Sequence, residues 1–109
     1  MARHPIQVVS LIGMPGSGKS TVGVLLAKRL GLAFVDTDLL IQEQEQATLA
    51  EIIAAKGHDA LRVIEEQVLL DMGIGPSVIS TGGSVVYSEA IMNRLSNTSS
   101  VVYLRSRLA

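Results

Sequence analysis

An open parallel β-sheet with helices on both faces is the fold class this sequence predicts, and three observations lead to it. Short apolar segments without polar alternation, such as Gln7-Val8-Val9-Ser10-Leu11-Ile12 and Ser77-Val78-Ile79-Ser80, read as strands of a parallel sheet. Longer stretches of helical periodicity separate them, so the chain alternates as repeated β–α–β units. The segments after the strands carry glycine and aspartate, as expected where such a sheet presents its ligand-binding end. With 109 residues, 48% of them apolar and 17% charged, the chain is one small domain spanning 1–109 with a globular core.

The elements follow in order. The first strand ends at Ile12, and a helix opens near Lys19, in which Val22, Leu25, Leu26 and Leu30 recur at helical spacing. Gly31 suits the residue just past its end. Ala33-Phe34-Val35 reads as a short buried strand ending at Asp36. From Asp38 to about Glu45 the pattern is helical, with Leu39, Leu40 and Ile41 forming an apolar side. Thr48-Leu49-Ala50-Glu51 is a capping-box signature that opens a short helix stopped by Gly57. The next helix runs from about Asp59 to Met72, with Leu61, Ile64, Val68 and Met72 on its buried face. Gly73, Gly75 and Pro76 end it, and the strand Ser77–Ser80 and the turn Thr81-Gly82-Gly83-Ser84 follow. Ser88 caps a helix reaching Leu95, and Val101-Val102-Tyr103-Leu104 is the last strand. Crossovers between parallel strands are expected to be right-handed. The carboxyl ends of the strands are then the Gly13 loop, Asp36-Thr37-Asp38, Thr81-Gly82-Gly83 and Leu104-Arg105.

The first of these ends carries the most chemistry. Gly13-Met14-Pro15-Gly16-Ser17-Gly18-Lys19-Ser20 satisfies G-x-x-x-x-G-K-[ST] and lies between a strand and a helix, the context that gives the pattern its meaning. It makes the sheet one of the P-loop NTPase type. Backbone N–H groups and the positive helix end face one space there, which suits a polyphosphate. Lys19 would reach the β- and γ-phosphates and the Ser20 hydroxyl would ligate Mg²⁺, so a nucleotide polyphosphate with Mg²⁺ is the expected ligand. Met14 reads as a spacer, and the plain alternative for the whole stretch is a glycine-rich turn.

Three further groups are candidates. Asp36 and Asp38, two apart at the end of an extended segment, would project from one side. One carboxylate would support the metal and the other an acceptor hydroxyl; alternatively, one of them caps the following helix. Arg62 and Glu65 lie three apart, so the carboxylate can orient the guanidinium toward an anion, although spacing alone favours a surface ion pair. Gly82-Gly83 offers bare backbone to a substrate, while glycine pairs are more often tight turns. His4 and His58 stand apart from other ligand-type residues, and Met72 and Met92 read as core filling.

Bulk properties exclude several classes. A net charge of −1 without a basic patch gives a nucleic-acid surface little support. The chain has no cysteine, which removes disulfides and thiolate metal sites. The apolar run near the start is too short, and too soon interrupted by glycine, for a signal or membrane-spanning segment. The expected location is the cytoplasm, with no membrane partner.

Taken together, the segments resemble the shikimate kinase family. The resemblance rests on Gly13 through Gly23, Phe34-Val35-Asp36-Thr37-Asp38, Gly57 through Leu61-Arg62 to Glu65-Glu66, Ser80 through Val86, and Val101-Val102-Tyr103-Leu104. It implies transfer of the ATP γ-phosphoryl group to the 3-hydroxyl of shikimate, a step of aromatic amino-acid biosynthesis. Residues 13–21, ending in Lys19, Ser20 and Thr21, would bind nucleotide, with Ser20 and Asp36 at the metal. Lys19 and Asp38 would be catalytic, Asp38 also holding the acceptor hydroxyl. Arg62 would pair with the shikimate carboxylate, beside backbone donors of Gly82 and Gly83. The family pattern has a third glycine where this chain has Ser84, and commonly Phe in place of Leu61. Family members also continue into a mobile arginine-bearing lid, an adenine-contacting segment, a further strand and a second substrate-binding arginine. The resemblance therefore implies a C-terminally truncated copy whose sheet is incomplete, with Val101–Leu104 as an exposed edge available for self-association. Arg105 and Arg107 are not assigned to the lid role. The alternatives are another metabolite kinase of the same fold and a nucleotide-binding module without catalysis.

Overall fold

A computed structural model describes residues 7–13 and 18–104. All four predicted strands form: β1 (Val8–Gly13), β2 (Ala33–Asp36), β3 (Ser77–Ser80) and β4 (Ser100–Leu104). They make one wholly parallel sheet in the order β2-β3-β1-β4. Five helices accompany them among the described residues: α1 (Lys19–Leu30), α2 (Thr37–Glu45), α3 (Leu49–Lys56), α4 (His58–Asp71) and α5 (Glu89–Thr98). A single 3₁₀ turn, Val85–Tyr87, lies between β3 and α5.

Alternation along β1 distributes the helices. Adjacent residues of a strand face opposite sides, so Leu11 and Ile12 serve different cores. Leu11 packs with Ala27 of α1, Val78 and the partly buried Phe34. Ile12 packs with Leu69 of α4, Val85, Ile91 and Leu95. Each side chain is almost wholly buried, a contribution of about 1.5–3 kcal/mol apiece. Met72 and Met92 fill the edges of the second core, as their sequence positions suggest. A third cluster, Ile41, Ile52 and Val68, joins α2, α3 and α4 beside the sheet.

The helix ends follow the predicted chemistry. Gly31 takes a left-handed conformation at the end of α1, with φ 68°. Thr48 and Glu51 form both bonds of the capping box on α3: Glu51 N donates to Thr48 Oγ1, and Thr48 N to Glu51 Oε1. Ser88 Oγ accepts from Ile91 N at the start of α5. The C-terminus of α4 is held by Arg94 of α5, which donates to the carbonyls of Leu69 and Met72. That cation answers the last orphan carbonyls and the negative helix end.

Several expectations are corrected. The side of α1 that meets the sheet is Gly23 and Ala27, with Leu26 partly covered, while Val22, Leu25 and Leu30 are exposed. The reason is distance: a Cβ on Gly23 would lie 2.5 Å from Phe34 Cε1, so only small residues fit where α1 is seated. Leu39 is likewise exposed, because α2 turns Ile41 and Leu40 toward α3 and α4 instead. β2 is an edge strand and only partly buried. At the opposite edge, as expected, Val101, Val102 and Tyr103 of β4 are exposed among the described residues. Among the described residues no helix is long and apolar enough to cross a membrane.

Candidate active site

The sheet order places a topological switch at β1. The chain leaves β1 toward β2 through α1, which packs on the Leu11 face, and leaves β3 toward β4 through α5, which packs on the Ile12 face. A crevice opens between the ends of β1 and β3, the usual ligand position in such sheets. A cleft of about 300 Å³ lies there, within the range of small-molecule sites. Its walls are Gly18, Lys19, Ser20 and Thr21 after β1, Asp36 and Asp38 at the end of β2, and Ser80 to Gly83 after β3. Three of the four predicted strand ends therefore converge. Leu104, the described residue of the β4 end, is not part of this wall.

Register fixes the alignment. Ser80 pairs with Leu11 on one side and with Asp36 on the other, so β2 and β3 end level while β1 runs two residues further, to Gly13. Two buried threonines lock the connections. Thr37 Oγ1 donates to the Ser80 carbonyl at 3.3 Å, and Thr81 Oγ1 donates to the Leu11 carbonyl at 2.9 Å. Neither threonine stands out in the sequence beyond its place next to an aspartate or a glycine pair.

On the nucleotide side, Gly18 takes φ 84°, a left-handed conformation that favours glycine, and α1 begins at Lys19. The first turn of α1 has no side-chain cap and no acidic residue. Its amide donors and positive end are thus not answered by the helix's own side chains, which suits an anion. Lys19 Nζ donates to the Gly13 carbonyl at 2.9 Å. The other predicted loop residues, Met14, Pro15, Gly16 and Ser17, lie outside the described residues, as do His4, Arg105 and Arg107.

The aspartate pair is arranged differently from the expectation of two carboxylates on one extended segment. Asp36 is the N-cap of α2 and accepts from Asp38 N at 2.9 Å, whereas Asp38 sits in the first helical turn. Capping and cleft lining thus coexist: Asp36 uses one oxygen as a cap while both residues border the cleft. Burial raises the Asp38 pKa above the ordinary carboxylate value, the Asp36 charge adds to the rise, and Lys19 opposes it. Ser20 and Asp36 both border the cleft, and such oxygens fit a Mg²⁺ ion, which binds through one or two protein oxygens together with phosphate and water. Among the described residues no cluster of three His, Cys, Asp or Glu side chains forms a metal cage.

Glu65 is the residue that sequence reasoning underrated. The expected pairing with Arg62 is not formed. Glu65 Oε1 instead accepts from Ser84 Oγ at 2.5 Å. A Cβ on Gly82 would lie 2.6 Å from Glu65 Oε2 and 3.1 Å from Asp38 Oδ1. The glycine thus leaves room where two carboxylates crowd the turn, and a Cβ there would force the Glu65 carboxylate to shift. Burial raises the Glu65 pKa, the Ser84 bond opposes the rise, and the Asp38 charge adds to it against the Arg62 charge. Arg62 itself is not in the wall of the main cleft. Its guanidinium carbon lies 5.6 Å from the centroid of the Tyr87 ring, beside a smaller pocket bordered by Glu65, Glu66, Ser84 and Ser88.

Comparison with known proteins agrees with this geometry. The family model for shikimate kinase matches residues 15–109. Shikimate kinase from Paracidovorax citrulli (strain AAC00-1) is 41% identical over 107 residues, covering 95% of this chain and 58% of that protein. The chain thus spans little more than half the length of that relative. Among solved structures, shikimate kinase from Aquifex aeolicus superposes with a TM-score of 0.81 at 35% identity, covering 89% of this chain and 58% of that one. Shikimate kinase from Acinetobacter baumannii in complex with shikimate gives 0.86 at 33% identity, covering 91% and 56%. The start of α1 after Gly18, an aspartate pair and a glycine turn gathered at one switch point, together with these matches, place the chain in the shikimate kinase family.

Proposed function

We propose that this chain carries the nucleotide and acceptor sites of an ATP-dependent kinase that phosphorylates shikimate on its 3-hydroxyl. The observation that carries the reading is the convergence of Lys19, Ser20, Asp36, Asp38 and Gly82-Gly83 on a single cleft. In it, residues 13–21 and the α1 N-terminus bind the polyphosphate of ATP, and Lys19 moves from the Gly13 carbonyl to the transferring phosphate. Ser20 and Asp36 would hold Mg²⁺, and the ion, when bound, offsets phosphate charge.

Asp38 accepts a hydrogen bond from the acceptor hydroxyl. Its raised pKa makes it a better proton acceptor than an ordinary carboxylate. The hydroxyl oxygen bonds to the γ-phosphorus as the bond from phosphorus to the β–γ bridging oxygen breaks. ADP departs, and the hydroxyl proton passes to Asp38 or to water. Arg62 takes the acceptor carboxylate, with backbone donors of Gly82 and Gly83 beside it.

A coupled ADP-release assay tests the reading. ADP formation that depends on shikimate and exceeds that with related hydroxy acids is expected. Absence of both shikimate-dependent turnover and shikimate binding refutes it. A cytoplasmic location goes with this reading. The exposed edge of β4 supports self-association between copies, and a concentration-independent monomer in sedimentation velocity would contradict that part.

A further inference from the structure

We propose that Ser84 and Tyr87 are positioning residues for Arg62 and, through it, specificity determinants for a carboxylate-bearing acceptor; the second half rests on the kinase reading above. Arg62 has carboxylates at the next helical turn and beside it, since Glu65 lies three residues on and Glu66 four. Either would neutralise the guanidinium and occupy its donors. The segment 84–88 gives each of them another partner. Ser84 Oγ donates to Glu65 Oε1 at 2.5 Å, and Ser88 Oγ donates to Glu66 Oε2 at 2.7 Å. Between these two serines, Tyr87 places its ring under the guanidinium, 5.6 Å from centroid to Cζ.

The nature of that contact matters. An aromatic face attracts a cation through its quadrupole and leaves the N–H donors unused, whereas a carboxylate would consume them. Arg62 is thereby held as a charged fork with its edge available for an outside carboxylate. The pocket at this point, about 110 Å³, has room for a carboxylate group but not for a whole sugar acid. Ser84 borders this pocket while Gly82 and Gly83 border the main cleft, so the turn 82–84 is the wall between them. An acceptor with its ring in the cleft and its carboxylate at Arg62 would straddle that turn.

The test uses four variants of the full chain, Ser84→Ala, Ser84→Thr, Tyr87→Phe and Tyr87→Leu, and two readouts. The first is the Arg62 side-chain resonance, assigned through Arg62→Lys. An upfield ring-current displacement is expected in the wild type, kept in Tyr87→Phe and Ser84→Thr, and lost in Tyr87→Leu and Ser84→Ala. The second is calorimetric shikimate affinity, expected to fall about 2- to 5-fold in Tyr87→Leu and in Ser84→Ala, with Mg-ATP affinity unchanged. An unmoved Arg62 resonance in Ser84→Ala, indistinguishable Phe and Leu variants, or tighter shikimate binding in Tyr87→Leu would overturn the proposal. If the wild type binds no shikimate, the acceptor reading and the specificity role that rests on it both fail, while the resonance comparison still decides the positioning role.

Discussion

Gly82→Ala tests the crowding of carboxylates at the acceptor side. The added methyl would lie 2.6 Å from Glu65 Oε2, so that oxygen must retreat by most of an ångström to reach ordinary contact. Retreat strains or breaks the Ser84–Glu65 bond, a hydrogen bond to a charged acceptor worth about 1.5–3 kcal/mol. Gly82 does not have a positive φ, so alanine fits the backbone and reduces the freedom of the unfolded chain, a gain of about 0.4–1 kcal/mol. The balance is a loss of about 1–2 kcal/mol. In a Glu65→Ala background the obstructing oxygen is gone, and the same substitution should stabilise slightly. Urea unfolding of the four proteins of this cycle measures the coupling, expected at about 1.5–3 kcal/mol. An equal effect of Gly82→Ala in both backgrounds would refute the crowding argument.

Three further predictions address packing, capping and protonation. Gly23→Ala should destabilise by up to about 2 kcal/mol despite a helix-propensity gain of about 1, because the Phe34 ring must move; a rise in the melting temperature would contradict the seating of α1. Thr48→Ala removes half of a capping box and should cost about 1 kcal/mol in thermal unfolding, with Thr48→Ser close to neutral. Asp38 and Glu65 have raised pKa values, so above their ordinary values of 3.8 and 4.5 the folded state holds protons that the unfolded state has released. Stability should therefore fall as pH rises through that window and level off above it. Glu45 and Glu51 are shifted downward and act only on the acid side, where stability is lost as pH falls. Glu65→Gln should flatten the decline above pH 4.5, and an unchanged slope would contradict the assignment.

What the sequence made legible is what local chemistry decides. The capping box at Thr48 and Glu51, the left-handed Gly31 and the strand Ser77–Ser80 depend on neighbours in the chain, and each forms where its residues predict. The face of α1 was not legible. Leu25 and Gly23 are equally compatible with helical periodicity, and the choice is made by Phe34 from another element. The site divides in the same way. Asp36, Asp38 and Gly82-Gly83 could be placed together because each follows a strand, and parallel strands end on one side. The role of Glu65 was hidden because it depends on Ser84, nineteen residues later, and not on its helical neighbour Arg62. The 3₁₀ turn Val85–Tyr87 was also missed, being too short to carry a period, yet it brings the Tyr87 ring to Arg62.

The central claim is that one cleft takes a nucleotide polyphosphate at the start of α1 and a carboxylated acceptor at the Asp38–Gly82 side. Amide chemical-shift mapping of the ¹⁵N-labelled chain, titrated first with Mg-ATP and then with shikimate, tests it most directly. Mg-ATP should perturb Gly18 to Thr21 and Asp36, and shikimate should then perturb Asp38, Arg62, Gly82 and Gly83. Shikimate shifts that are absent, or confined to residues away from Asp38 and the 82–84 turn, would contradict the account.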